Sequence, residues 1–151
     1  LQKMIDVCTN SSGSVVGLME VDRSEVSAYG VVAPEAEMVD GVVKVGDLVE
    51  KPAIDEAPSL LIIIGRYVLT VDIFEEIAQL TPGAGGELQL TDAIRAQAQR
   101  SPLHGVETMV NRWDTGTPAG FLTAAVEMAL LGDGVEGLDS DLRDIVERHR
   151  Q

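Results

Sequence analysis

The sequence is short of cysteine, of aromatic residues and of positive charge, and each shortage closes off a class of function. Cys8 is its one cysteine, so an intrachain disulfide is impossible and a thiolate zinc cluster is not suggested. One tryptophan, two tyrosines and two phenylalanines leave the core to aliphatic side chains. Eleven Lys and Arg stand against 25 Asp and Glu, a formal net charge of −14. A surface this acidic repels nucleic-acid backbones and anionic membranes, so neither is expected as a partner. A phosphate ligand would have to meet a local basic group rather than a general positive field. Apolar runs long enough to span a membrane are also missing, and the first residues do not form a signal peptide. The cytoplasm is therefore the expected compartment.

What is present is an ordinary globular composition. The 151 residues are 45% hydrophobic and 24% charged, enough for one domain with a sizeable core. The chain starts at Leu1, inside what reads as an amphipathic helix with Cys8 as a buried thiol. It therefore reads as a piece of something longer.

Ser14 to Val21 and Ser27 to Val32 are β-rich apolar runs, the second interrupted by Gly30. Glycine inside a strand marks a bulge or a close approach to the backbone. Asp40-Gly41 between apolar runs predicts a hairpin turn with positive φ. Leu60 to Gly65 is the most apolar run and predicts a strand covered on both faces. Asp72 to Leu80 predicts a helix with Ile73, Phe74, Ile77 and Leu80 on its inner face. Pro82 to Gly86 is a loop without the lysine of a P-loop. Thr91 is placed as the N-cap of a helix reaching about Arg100. Val106 to Val110 predicts a short strand, Pro118 starts a further helix, and Ser140 caps a last helix from Asp141 to His149. The alternation of strands and helices in the second half gives an α/β fold. The domain boundaries read as 1–131, then a linker and C-terminal helix over 132–151.

The strongest candidate site is Val49-Glu50-Lys51-Pro52. An apolar strand delivers an acid and a base, and proline stops it by lacking an N–H and holding its neighbour extended. A carboxylate accepts from sugar hydroxyls and an ammonium sits on phosphate oxygens. The alternative is a solvated charge pair at a strand end, which contributes little. Asp114 follows a strand and precedes a helix, where a carboxylate holds magnesium or simply favours the helix dipole. His104 and His149 lack metal-ligand spacing and read as surface residues.

Taken in order, Ser27-Ala28-Tyr29-Gly30-Val31-Val32, Val49-Glu50-Lys51-Pro52, Ala57-Pro58-Ser59, Gly65-Arg66-Tyr67-Val68-Leu69 and Gly83-Ala84-Gly85-Gly86-Glu87-Leu88-Gln89-Leu90-Thr91-Asp92-Ala93-Ile94 resemble the bacterial UTP–glucose-1-phosphate uridylyltransferases over roughly residues 1 to 130. The last block is the most specific. The resemblance implies part of a Rossmann-like nucleotidyltransferase fold, with a mixed sheet, a β-hairpin and C-terminal helices. It implies the formation of UDP-glucose and pyrophosphate from UTP and glucose 1-phosphate, with Mg2+ as cofactor. It assigns Gly30 and Glu50 to the sugar, Lys51 to the phosphates and Asp114 to the metal, and it implies self-association into a homo-oligomer. Two positions depart from the family pattern. Leu60 stands where the family usually carries asparagine, and Ile62 where it carries alanine, a volume increase that typically costs ~1–3 kcal/mol in a packed core. The family's glycine-rich nucleotide loop and a second magnesium aspartate do not occur here. The chain therefore resembles the C-terminal half of such an enzyme, catalytically incomplete without the N-terminal half. A thymidylyltransferase or other sugar nucleotidyltransferase is the near alternative, and a non-catalytic sugar-nucleotide-binding or assembly module the distant one.

Overall fold

The computed structural model describes residues 1–82, 86–109, 113, 115–131 and 135–149. They form two compact units, Leu1–Met109 and Val110–Gln151.

In the first unit, helix α1 (Gln2–Ser11) leads into strand β1 (Ser14–Glu20). A short 3-10 turn, Arg23–Ala28, then takes up part of the expected second strand, so that β2 is confined to Gly30–Pro34. Strand β3 (Val42–Glu50) returns from the hairpin, and β4 (Leu61–Val68) follows a loop. Helices α2 (Ile73–Gln79) and α3 (Leu90–Ala98) precede β5 (Leu103–Glu107), three residues earlier than its sequence signal. The strands close a ring in the order β1-β4-β2-β3-β5. All neighbours are antiparallel except β1 and β5, which run parallel, so the sheet is mixed.

The hairpin forms as its residues dictate. Asp40 and Gly41 both take positive φ, 49° and 66°, and Val39 and Val42 exchange two backbone hydrogen bonds of 2.9 Å across them. This is the mirror-image turn whose twist matches that of its strands. The Lys3 ammonium donates to the Asp40 carbonyl and ties α1 to the turn.

The buried residues of the main core are aliphatic, with Tyr67 and Met38 packed at its margin. Val16, Leu18, Val32, Val43, Val45, Leu48, Ile63 and Leu103 pack against Ile73 of α2 and Ala93 and Ile94 of α3. Two smaller clusters lie elsewhere. Met4 packs with Val15 and Val106, with Cys8 half-buried at its margin, and Val26 of the 3-10 turn packs with Val31 and Ile62. Neighbours Ile62 and Ile63 thus enter different clusters, and β4 is covered on both faces there. Ile62 is fully buried. A polar knot stands inside this apolar frame. Ser14 donates to the Gln97 amide oxygen at 2.7 Å, and the Gln97 amide donates to Thr70 at 3.0 Å. With Ser14 and Gln97 both buried, these partners remove what would be a large desolvation cost.

Helix α2 departs from its expected face. Ile73 is buried, but Phe74 is 70% exposed and Glu76 is buried instead. The Glu76 carboxylate is paired with Arg100, so burial leaves no lone charge, which would be the costly outcome.

The second unit contains α4 (Pro118–Leu131) and α5 (Leu138–Arg148). Helix α5 starts at Leu138, and Gly137 rather than Ser140 occupies the N-cap position. The Ser140 hydroxyl donates back to the Gly137 carbonyl at 2.7 Å.

Candidate functional site

Gly30 opens β2 and Glu50 closes β3, and the two are register partners. The pairing runs one step further, for the Lys51 N–H donates to the Tyr29 carbonyl at 3.0 Å. There the chain breaks its alternation. Lys51 takes φ 46°, in the left-handed region, immediately before Pro52. In a regular strand Glu50 and Lys51 would point to opposite faces. The left-handed turn instead leaves the Lys51 ammonium 3.9 Å from Glu50 Oε1. The carboxylate is 21% exposed and the lysine side chain 57%: a sheltered acceptor beside an accessible cation.

Glu50 has a second partner. The Thr91 hydroxyl, buried at the start of α3, donates to Glu50 Oε2 at 2.6 Å. The two carboxylate oxygens are thus distinguished, one facing a hydroxyl and the other an ammonium. Gly30 sits directly beneath. A Cβ there would stand 3.1 Å from Glu50 Oε2 and 3.2 Å from Thr91 Oγ1, closer than side chains ordinarily approach. Tyr67 belongs to the same neighbourhood. Burial, and after it the Glu50 charge, push its phenol above the ordinary tyrosine range, so it stays protonated at neutral pH.

Below this group a second tie joins β3 to α3. Arg95 Nε and Nη2 donate to the two Asp47 oxygens at 2.6 and 2.7 Å. The guanidinium holds the Asp47 carboxyl below its usual range against an opposing effect of burial, helped by the Leu48 N–H.

The structure thus brings Gly30, Glu50 and Lys51 together. Asp114 and the glycines at 83 and 85 lie outside the described residues. Among the described residues, no group of three or more His, Cys, Asp and Glu is placed to hold a metal ion. Thr91 is the residue that sequence reasoning misplaced. Gln89 occupies the N-cap position of α3, and no side chain caps it. The available signal was spacing, since Thr91 stands three residues before Ile94 on the apolar face, where a hydroxyl needs a partner. His104, expected at the surface, is half-buried, and burial followed by the Lys44 charge lowers its pKa.

Residues 1–129 match the family model for nucleotidyl transferase. The chain is 43% identical over 129 residues to the UTP–glucose-1-phosphate uridylyltransferase of Streptococcus pneumoniae serotype 4, covering 85% of this chain and 43% of that protein. Its counterpart in Pseudomonas aeruginosa is 41% identical over 82% of this chain and 44% of its own length. A crystal structure of UDP-glucose pyrophosphorylase complexed with UDP-glucose superposes with a TM-score of 0.76 at 40% identity, over 82% of this chain and 47% of that one. A UTP-bound enzyme from Acinetobacter baumannii gives 0.77 at 26% identity, over 97% and 49%. The chain spans less than half the length of the curated relatives it matches. With the family model covering most of its residues, the chain belongs to the nucleotidyl transferase family.

Proposed function

We propose that the protein supplies the sugar-phosphate-binding part of a UTP–glucose-1-phosphate uridylyltransferase, which forms UDP-glucose and pyrophosphate from UTP and glucose 1-phosphate. The observation that carries this reading is the Glu50–Lys51 juxtaposition, 3.9 Å apart on the strand end that pairs with Gly30. Glu50 accepts from hexose hydroxyls, and its bond from Thr91 fixes the carboxylate plane. Lys51 meets the phosphates, and Gly30 leaves room above the backbone. In the reaction a phosphate oxygen of glucose 1-phosphate attacks the α-phosphorus of UTP. A new P–O bond forms while the bridge to the β-phosphate breaks, and pyrophosphate leaves. Catalysis of this kind is largely positioning and charge stabilisation, the two things this pair offers. Magnesium, when bound, would neutralise phosphate charge. Such an ion is held mainly by phosphate oxygens, and Asp114 is the residue that the family resemblance offers for it. The nucleotide-reading residues belong, on this reading, to the remainder of a longer protein that self-associates in the cytoplasm.

Two measurements test this. Titration calorimetry should show UDP-glucose binding to the chain, and Lys51→Ala should weaken it. In the full-length enzyme, pyrophosphate release should favour UTP over dTTP, and Lys51→Ala should lower kcat/KM by about a hundredfold or more. Unaltered turnover in that variant would overturn the assignment and favour a non-catalytic binding module. Turnover by the chain alone would refute the division of labour.

A further inference from the structure

We infer that Asp47 and Arg95 form a positioning pair that sets the Thr91 hydroxyl against Glu50, an inference that rests on the reading of Glu50 as the sugar acceptor. Strand β3 and helix α3 are joined by polar side chains at two points, Glu50 to Thr91 and Asp47 to Arg95. Thr91 and Arg95 are four residues apart and share one face of the helix. Four residues of helix rise about 6 Å, whereas the three residues from Asp47 to Glu50 span about 10 Å of strand. The mismatch is bridged by side-chain length: the short threonine touches directly and the long arginine reaches.

The arginine tie is rigid in a way a single hydrogen bond is not. Both Asp47 oxygens are engaged, at 2.6 and 2.7 Å, and Oδ1 also accepts from the Leu48 N–H at 2.9 Å. The acid cannot swing, and a planar fork on a fixed acid defines both the rotation and the translation of α3. The first turn of α3 has no side-chain cap to do this work. The pair is also exposed, 50% for Arg95 and 38% for Asp47, so its contribution to global stability is small. Its effect is on where Thr91 sits.

The test separates placement from stability. Arg95→Lys keeps the charge and loses the fork. It is expected to leave the urea unfolding midpoint unchanged and to raise the Kd for UDP-glucose about tenfold, the loss of one hydrogen bond to a charged group. Placed on Thr91→Val, the same change should have no further effect, because the arginine acts through the threonine. Wild-type affinity in Arg95→Lys, an additive loss in the double variant, or a midpoint that falls in step with affinity would each overturn the inference. If the wild-type chain binds no UDP-glucose, the functional reading fails. A crystal structure of Arg95→Lys then decides the pair: a Thr91–Glu50 bond still at 2.6 Å refutes it, and a broken one sustains it.

Discussion

Lys51 bears the conformational cost of the candidate site. A left-handed backbone costs a non-glycine residue roughly 1–2 kcal/mol, and a following proline restricts it further. Strain of this kind persists only where its surroundings enforce it, here the bond to the Tyr29 carbonyl and the stop at Pro52. Glycine would sit at φ 46° without penalty. Lys51→Gly is therefore expected to resist urea better than Lys51→Ala by about 1 kcal/mol, while both lose affinity for UDP-glucose. Paired denaturation and calorimetry curves check this. The adjacency of acid and base was plain from the residues. The backbone state that lets them meet was not, because lysine has no preference for positive φ and only the ring's geometry imposes it.

At the scale of the element, the hairpin was the most legible feature, since Asp-Gly states its own turn. Gly41→Ala keeps the chain's chemistry but forces a Cβ into φ 66°, 3.2 Å from the Lys3 ammonium. It is expected to cost about 1–2 kcal/mol, read as a lower thermal midpoint. Helices were legible in extent and less so in phase. Counting apolar residues put Phe74 inside α2, whereas the Glu76–Arg100 pair turns that helix so that an acid faces inward. The same limit applied to α3. Its period is plain, but a threonine beside a cap-like position looks like a cap until its long-range partner is known. Glu50 lies 41 residues away, beyond any local rule.

For the molecule as a whole, stability should depend on pH in two stages. Burial depresses the pKa of His104. Its contribution is present above the unfolded histidine value of about 6.5 and is lost as pH falls through the lower folded value. Asp72 is also depressed, mainly by a hydrogen bond from Thr70. Its contribution is present above about pH 3.9 and is lost as pH falls further. Protonating some of the 25 acidic side chains relieves self-repulsion and partly offsets both losses. Urea midpoints measured from pH 7 to pH 3 should fall in two steps, and His104→Gln should remove the first. At this scale the mixed sheet and the aliphatic core were legible. The closing of the strands into a ring was not, because no local pattern tells β5 that it lies between β1 and β3.

That closure has a consequence for how the chain is made. Leu103–Glu107 is the last strand of the ring to leave the ribosome, yet it supplies neighbours to β1 and β3, both emerging some sixty or more residues earlier. Until it arrives, those two strands have open edges, the usual template for wrong pairing. The ring is therefore open to wrong pairing while four of its strands are translated and the fifth is still inside the exit tunnel.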